Sequence, residues 1–225
     1  MPPPVVNNGC CILASSLPDE IANTTSISNL FGHYGDVYRV KILHNKPDCA
    51  LVQLAKPHQA TLCKQFLDQI KVDGKTICVS FSRIQELRQP TNDGNEEEFP
   101  PSNFADLTSM RYVHRFRNHQ IAMKLTKTLS SPSHMLHVAN IPEHFTAEHL
   151  RKYILENGFT VIDVQDCSKG DNNMCLVQMG TPEEAVKALA KLHNITPDGY
   201  HTRNNAGLCF SFSGRKSTNR TAKDE

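Results

Sequence analysis

The sequence predicts an α+β fold in which one β-α-β-β-α-β unit is built twice. The first indication is a repeat: the segment CALVQLAKP (49–57) returns as MCLVQMGTP (174–182), each an apolar strand followed by a Pro that opens a helical pattern. The second indication is the echo of ICVSFS (77–82) by LCFSFS (208–213). Self-similarity on this scale indicates one supersecondary unit in two copies. A chain of 225 residues holds two domains of ordinary size and a connector.

The first unit, predicted over residues 10–90, alternates strand and helix patterns. Its opening run, CCILASSL, is apolar and too short for a helix, so we predict a strand. A helical pattern with apolar residues at i, i+3 and i+4 follows, and Gly35-Asp36 breaks it. The segment VYRVKILH alternates apolar and basic residues and predicts the second strand, whereas CALVQL predicts the third.

The same unit ends with a second helix and a fourth strand. Ala60, Cys63 and Leu67 form one apolar helical stripe, and Asp73-Gly74 is a turn signal before the last strand. The second unit, predicted over 134–214, repeats the order from LHVANI to LCFSFS. Such a chain folds into a four-stranded antiparallel sheet with both helices on one face. The other face stays open, and we expect function there.

The connector is predicted over residues 91–133, in two parts. Its beginning, TNDGNEEEFPPSN, is polar and acidic and is predicted to be flexible, whereas the remainder carries many large apolar residues and is predicted to pack. On the second helix, Leu62 and Phe66 form an i, i+4 apolar pair off the core stripe. Such a pair predicts a packing surface, either for the other domain together with Phe116 and Leu125 of the connector or for a partner peptide. Residues 215–225 are predicted to be a disordered tail.

Composition excludes several classes of function. Lys and Arg total 24 against 23 Asp and Glu, so the overall positive charge of many nucleic-acid binders is missing. The 8 Cys include no C-x-x-C pair and the 11 His no H-E-x-x-H, so we predict no metal or cofactor. No apolar run approaches the roughly 20 residues of a membrane span. The absence of a phosphate-binding loop, of paired catalytic carboxylates and of a nucleophile–base signature argues against an enzyme.

Several segments resemble a known family. ILASSL and LHVANI resemble the first RNP signature strand of RNA recognition motifs, and CALVQL and MCLVQM resemble the second. GHYGDVYRVKILHNK, ALVQLAKP, VHRFR and MLHVANIP are similar to the last two RNA recognition motifs of the polypyrimidine tract-binding proteins, with the hnRNP L proteins as near neighbours. The resemblance covers most of residues 10–90 and 112–214. It implies two ferredoxin-like domains packed through their helical faces and the linker, the first with an added fifth strand, which we assign to RIQELRQP (83–90).

The positions at which RNA recognition motifs usually present stacking aromatics are mostly aliphatic here, and only His137 offers a ring. The resemblance implies that the family reads U and C through aliphatic contacts and polar groups at sheet edges. Carried over by position, it implies RNA contacts by Leu13, Ser15, Lys41, His44, Leu51, Ser82, Arg83 and Gln85 in the first unit, and by His137, Ala139, Leu176, Gln178 and Ser213 in the second.

Two structural alternatives stay open for these residues. Leu51 and Leu176 are buried strand residues if another element covers them, and Arg39 and Lys41 are solvated strand charges if no phosphate meets them. In the second unit we expect Asp166 to place a negative charge near an approaching phosphate.

The same resemblance implies a monomeric protein that is nuclear or shuttles to the cytoplasm and binds CU-rich single-stranded RNA in pre-mRNA processing such as splicing regulation. Two linked domains would loop the RNA between them, with splicing co-regulator proteins as further partners. The alternative is a protein-interaction module whose degenerate sheets no longer bind RNA.

Overall fold

The computed structural model describes residues 9–89, 101–110, 114–168, 173–201 and 206–214. Most of the predicted flexible start of the connector (91–100) and the predicted tail (215–225) lie outside this description, whereas the last residues of that start form a short 3-10 helix, Pro101–Asn103. The described strands and helices follow in the order β1 (Cys11–Ser15), α1 (Thr24–Gly32), β2 (Val37–Leu43), β3 (Lys46–Leu54), α2 (Pro57–Leu67), β4 (Lys71–Val72), β5 (Lys75–Thr76), β6 (Cys78–Phe81), β7 (Phe104–Asp106), α3 (His119–Thr128), β8 (Met135–Ala139), α4 (Ala147–Glu156), β9 (Val161–Asp166), β10 (Met174–Met179), α5 (Pro182–Leu192) and β11 (Cys209–Phe212).

These elements form two antiparallel sheets of corresponding topology. The first has the strand order β6-β1-β3-β2-β7 and the second has β11-β8-β10-β9. A small hairpin, β4-β5, is inserted before β6, and its turn residues Asp73 and Gly74 both have positive φ, at 50° and 70°. Asp-Gly suits such a turn because both central residues of a type I′ turn need this conformation. The predicted α+β class with two β-α-β-β-α-β units is confirmed.

Local sequence explains where the helices begin. The Asn23 side chain accepts the backbone N–H of Ser26 at 2.8 Å and caps α1. Before α4, Thr146 and His149 exchange two hydrogen bonds between side chain and backbone, which is a capping box. Thr181 caps α5, and Pro182 occupies the first turn, where its missing N–H costs nothing.

The core lies between each sheet and its helices. Alternate strand residues such as Ile12, Val40, Val52 and Val79 are fully buried there, and the cores of the two units join in one cluster. The intervening strand residues therefore point away from the helices. This alternation leaves one outer face on each sheet.

The first sheet has the expected fifth strand, but a different segment forms it. The strand is β7, which pairs with β2 at residues 104–106, whereas the described part of RIQELRQP crosses the outer face of the sheet. The assignment to residues 83–90 is therefore wrong. The reason is topological, because β6 ends at one edge of the sheet and the free side of β2 lies at the other edge. The chain has to cross the sheet before it can pair again.

The two units meet through helices α1 and α5. Asn29 of α1, 6% exposed, donates two hydrogen bonds from its amide nitrogen, to the carbonyls of Ala190 at 2.9 Å and His193 at 3.0 Å. These carbonyls belong to the last turn of α5, where no intrahelical donor is available. Asn29 therefore ties the first unit to the C-terminal end of a helix in the second.

Ion pairs surround this contact. Lys187 of α5 lies 2.7 Å from the carboxylate of Asp73, and Lys191 pairs with Glu20. Glu183 accepts the backbone N–H of Asp73 at 2.9 Å. Because each unit contributes its helical side, the two outer sheet faces remain on the outside of the pair.

The second part of the connector packs on the domains with some of its apolar side chains and exposes others. Phe116 is buried, and its N–H donates to the carboxylate of Asp36 at 2.8 Å, whereas Ile121 and Met123 of α3 are 50% and 52% exposed. The expected packing of the whole second part therefore does not extend to these two side chains. Leu125 on the same helix is half-buried.

Leu62 and Phe66 of α2 lie partly buried against the joint core. Phe66 stacks on Tyr34 with ring centroids 4.9 Å apart, and the Tyr34 hydroxyl donates to the carbonyl of Ser130, ahead of β8. Phe66 thus packs against Tyr34, which contacts the segment leading into β8 of the second unit. Whether the Leu62–Phe66 pair holds the domains together stays a prediction.

Candidate nucleic-acid interface

The outer face of the first sheet is organised around one row of side chains that crosses all five strands. Paired positions place Ser80, Leu13, Leu51, Lys41 and Phe104 side by side, on β6, β1, β3, β2 and β7 in that order. We call these five residues the central row. Three of the residues predicted to contact RNA, Leu13, Lys41 and Leu51, therefore come together at adjacent positions. The row offers a hydroxyl at one end and a cation beside an aromatic ring at the other.

Phe104 supplies the ring that the first unit was expected to lack. It pairs with Lys41 across the β2–β7 ladder and packs, half-buried, beside Leu13, Leu43 and the buried Leu51. Aromatic rings on such a sheet stack on bases. Sequence reasoning placed Phe104 in the connector; the signal available was a three-residue strand, FAD, too short to recognise alone.

A second row borders the central row and holds the chain that crosses the sheet. Cys11, Gln53, Arg39 and Asp106 are paired positions on β1, β3, β2 and β7. Over them runs the strap, which we define as residues 83–87. The Gln53 side-chain oxygen accepts the Leu87 N–H at 2.9 Å, and Arg39 donates to the Leu87 carbonyl at 2.8 Å. The row therefore anchors the strap and does not face solvent freely.

The strap also covers part of the expected apolar floor. Leu87 is 2% exposed and forms a small cluster with Cys11 and Leu51, which is itself 6% exposed. The expectation of a bare aliphatic surface is thus corrected: Leu51 supports the platform from beneath a covering residue. Leu13 and Lys41 remain half-buried, and Arg83 is exposed.

Arg39 has a structural role in this arrangement. Its guanidinium lies 2.9 Å from Glu86 of the strap and 2.9 Å from Asp106 of β7. Hydrogen bonds to Asp106 and Glu86 raise the pKa of Arg39. Of the two readings left open, a solvated charge or a phosphate ligand, neither describes Arg39, because it joins the strap to the fifth strand.

Cys11, in the same row, contributes to the anchoring as a neutral thiol. Burial raises its pKa to about 11, so the thiol keeps its proton. It donates to the carbonyl of Gln85 at 3.3 Å.

The other predicted contacts of the first unit lie around the rim of this face. Ser15 and His44 stand near the end of the sheet away from the strap, Ser15 half-buried and His44 exposed in the β2–β3 turn. Ser82 is 8% exposed, and its hydroxyl accepts the Ile84 N–H at 3.0 Å as the strap begins. Gln85 belongs to the strap and is exposed. Their contact with RNA stays a prediction.

The second sheet repeats the central row with different chemistry. Ser211, His137, Leu176 and Gln165 are paired positions on β11, β8, β10 and β9. Leu176 is 7% exposed, so it is a buried floor residue like Leu51, while His137 is half-buried. Gln165 stands where the first unit has Lys41, and no fifth strand is present beside β9 among the described residues. This row therefore carries no cation.

The acidic group on this face is Asp163 and not Asp166. The pairing of β10 with β9 shifts register between Gln178 and Met179. On the near side of this shift, Gln178 pairs with Asp163 on the outer face, and Asp166 pairs with the buried Cys175. A β-bulge of this kind moves the side chains before it to the opposite face. Asp163 accepts the Gln165 side-chain amide at 2.9 Å. The strand pairing therefore places Asp163 on the outer face in place of the expected Asp166, and its effect on an approaching phosphate stays a prediction.

Ala139, Gln178 and Ser213 take positions around this second row. Ala139 and Gln178 are half-buried on β8 and β10, and the backbone N–H of Ser213 donates to the Met135 carbonyl at 2.9 Å beyond the end of β11. No group of three or more His, Cys, Asp or Glu side chains in the described ranges could hold a metal ion. Over the same ranges, no helix is long and apolar enough to cross a bilayer.

Comparison with known proteins agrees with this geometry. Residues 4–106 match the family model described as the RNA recognition motif, also called the RRM, RBD or RNP domain. The chain is 30% identical over 195 residues to polypyrimidine tract-binding protein homolog 3 of Arabidopsis thaliana. That alignment covers 86% of this chain and 42% of the relative, so the chain spans less than half of the relative's length.

Solved structures also match this chain, with low TM-scores. A Sxl-lethal protein/RNA complex is 16% identical with a TM-score of 0.30, covering 90% of this chain and 98% of that one. The N-terminal three RNA binding domains of the yeast splicing factor Prp24 are 15% identical with a TM-score of 0.31, covering 91% of this chain and 64% of that one. Overlaps this low carry no structural conclusion.

Three observations identify the family: the match of residues 4–106 to the RNA recognition motif model, the identity with the Arabidopsis protein, and the RNP-like strands β1 and β3, which lie side by side in the first sheet. The chain belongs to the polypyrimidine tract-binding family of RNA recognition motif proteins.

Proposed function

We propose that this chain binds pyrimidine-rich single-stranded RNA and acts without catalysis in nuclear pre-mRNA processing such as splicing regulation. The observation that carries the proposal is the central row of the first sheet, in which Lys41 lies between the Leu13–Leu51 floor and the Phe104 ring. The similarity to a polypyrimidine tract-binding protein homolog of Arabidopsis supports the choice of pyrimidine-rich RNA.

Each member of the row has a chemical use. A base can lie on the Phe104 ring, since base–aromatic stacking contributes about 1–3 kcal/mol per base. The Lys41 ammonium can meet a phosphate or a pyrimidine carbonyl oxygen. Ser80 is exposed and offers a hydroxyl to a base edge. Small pyrimidine rings suit a platform that the strap has narrowed on one side.

The proposal assigns the stronger site to the first unit. In the second unit the corresponding row has Gln165 for Lys41, and Asp163 adds a negative charge. Binding there depends on His137, which keeps a half-buried ring. Because the units meet through their helical sides, two engaged sheets would hold separate RNA segments and loop the RNA between them, and linkage would raise the apparent affinity.

A titration of the full chain with CUCUCU RNA and with a purine-only hexamer tests the function. We expect amide shifts along β1, β2, β3 and β7 with the pyrimidine strand, and clearly weaker binding of the purine strand. Equal weak binding of both, or none, would favour the alternative of a protein-interaction module. Shifts confined to β8–β11 would move the site to the second unit and refute the assignment to Lys41 and Phe104.

A further inference from the structure

A groove of about 480 Å³ lies beside α4, on the helical side of the second sheet. One wall is formed by α4 and by Phe145, two residues ahead of it, and the other by residues of the segment 195–200. The groove belongs to neither outer sheet face, so the proposed RNA contacts make no use of it. Its most distinctive lining is a set of three aromatic rings, Phe145, Tyr153 and Tyr200.

The three rings form walls and not a stack. Phe145 and Tyr200 meet edge to face, with centroids 4.7 Å apart and planes at 86°. Phe145 and Tyr153 meet at 75° with centroids 6.4 Å apart. Phe145 is 7% exposed and forms the floor, while both tyrosines are half-buried. Rings set at steep angles around one space can present π-electron density to a single ligand group from several sides.

A tight turn fixes one side of this arrangement. The Tyr200 N–H donates to the Pro197 carbonyl at 3.2 Å, and Gly199 at the third position has φ 78°. Type II turns need a positive φ there, which glycine adopts without strain. Pro197 is itself buried. Tyr200 and the neighbouring Asp198 are thus held in place before any ligand arrives.

The charges of the groove favour a cation. Lys152 is already paired with Glu156, at 3.6 Å on the next turn of α4. Asp198, which lines the same groove, makes no ion pair with any residue that the structure describes. Burial first, and then Asp198, raises the pKa of Tyr153. Among the described residues, Asp198 is therefore a carboxylate without an ion pair that lines the groove with the three rings.

We propose that this groove binds the trimethylammonium group of a methylated lysine on a protein partner. Ring faces attract cations, and aromatic boxes recognise quaternary ammonium groups. An unmodified ammonium is strongly hydrated and brings three N–H donors, whereas a trimethylated one brings none and contacts rings with its methyl groups. Asp198 supplies the long-range attraction. The partner is a protein because a shallow, open groove also leaves room for flanking peptide.

The test is an amide-shift titration of the full chain with one short peptide in four forms. These carry trimethyllysine, unmodified lysine, arginine, or the neutral tert-butyl isostere of trimethyllysine. We expect shifts at α4 and residues 195–200 with the trimethylated form, and at least about fivefold weaker binding of the other three. The neutral isostere loses the cation–π attraction, whereas unmodified lysine and arginine carry N–H donors that have to give up hydration. Equal binding of the neutral isostere or of unmodified lysine would overturn the proposal. Equal binding of free phosphocholine would assign the groove to a headgroup and overturn the protein partner.

Two substitutions locate the effect. Asp198→Asn keeps the shape of an exposed turn residue and should weaken the trimethylated peptide about threefold or more, while leaving the neutral isostere unchanged. Glu143→Gln removes the same charge from an exposed position near the groove but outside its lining, and is the matched control. Equal weakening by both would show a general charge effect and overturn the site. Binding of CUCUCU RNA to the first sheet should be unaffected by either, so failure here leaves the proposed function standing.

Discussion

The outer faces of the two sheets can be compared position by position because their strands pair in the same order. The row Ser80–Leu13–Leu51–Lys41 of the first sheet corresponds to Ser211–His137–Leu176–Gln165 of the second. The serine and the buried leucine are retained, whereas the cation is replaced by an amide. The difference shows that the repeat preserves the scaffold of the platform and varies its charge.

The neighbouring row differs more sharply. Cys11–Gln53–Arg39 of the first sheet corresponds to Met135–Gln178–Asp163 of the second. In the first sheet, Arg39 and Gln53 hold the strap and link it to β7. An aspartate at the position of Arg39 cannot donate to a strap carbonyl or pair with an acidic fifth strand. The second copy therefore lacks the arginine that links the strap to the added strand in the first.

The largest effect is expected at the interface between the two units, where two buried histidines make the stability of the protein depend on pH. His33 and His193 are each 3% exposed; His33 accepts from Arg115 at 3.1 Å and His193 from the Phe210 N–H at 3.0 Å. Burial lowers the pKa of His33 and lowers that of His193 to about 3. Below the ordinary value of 6.5, the unfolded chain binds protons that the folded protein excludes. Stability should thus fall by about 1.4 kcal/mol per histidine for each pH unit below 6.5.

Urea unfolding at pH 7, 6 and 5 measures this slope. The range stays above the ordinary pKa of carboxyl groups, so histidines dominate it. His193→Gln should flatten the slope, while the exposed His44→Gln should not. A stability that is constant from pH 7 to 5 would contradict the neutral, buried state of both rings.

Phe104→Leu tests the comparison by removing the phenyl ring of β7, a strand that has no counterpart beside β9 among the described residues. Leucine preserves an apolar partner for Leu43 and Leu51 within the cluster, so β7 should remain paired. Loss of one stacked base should cost about 1–3 kcal/mol of RNA binding. The measurement is the Kd for CUCUCU, with thermal unfolding as the control for the fold. An unchanged Kd would show that no base lies on this ring.

Exchange of the central polar residue tests the charge difference directly. Lys41→Gln copies the second row into the first and should weaken RNA binding about tenfold, with a log Kd–log salt slope smaller by about 1. Gln165→Lys makes the reverse change and should strengthen contact by the second sheet. Both are read by titration at several salt concentrations. A Lys41→Gln variant with an unchanged salt slope would exclude phosphate contact at this position.

Arg39→Met should have the smallest effect, since ion pairs this exposed contribute about 1 kcal/mol or less. Methionine retains the apolar stem but cannot donate to the Leu87 carbonyl or bridge Glu86 and Asp106. We expect the Leu87 amide to exchange hydrogen about fivefold faster, because the strap opens more often. Arg83→Met, which removes an exposed cation at the start of the strap, is the matched control. Equal exchange in both variants would mean that Arg39 does not hold the strap.

The sequence alone determined the repeat, the strand order and three of the five residues of the central row. Leu13, Lys41 and Leu51 could be placed together because strand alternation is a local property with a period of two. Each of these residues points outward for reasons contained in its own strand. Pairing order followed from the family resemblance and is borne out by the two corresponding sheets.

Only the tertiary structure decided which residues cover or join that face. Phe104 lies far along the chain from its neighbour Lys41. No local sequence pattern predicts that a three-residue strand pairs with β2 after the chain has crossed the sheet. The burial of Leu51 depends likewise on Leu87 in the strap. Asp163, not Asp166, faces outward because a bulge in β9 shifts the alternation by one residue. These features come from contacts between segments that are far apart in the chain, and a local sequence pattern does not predict such contacts.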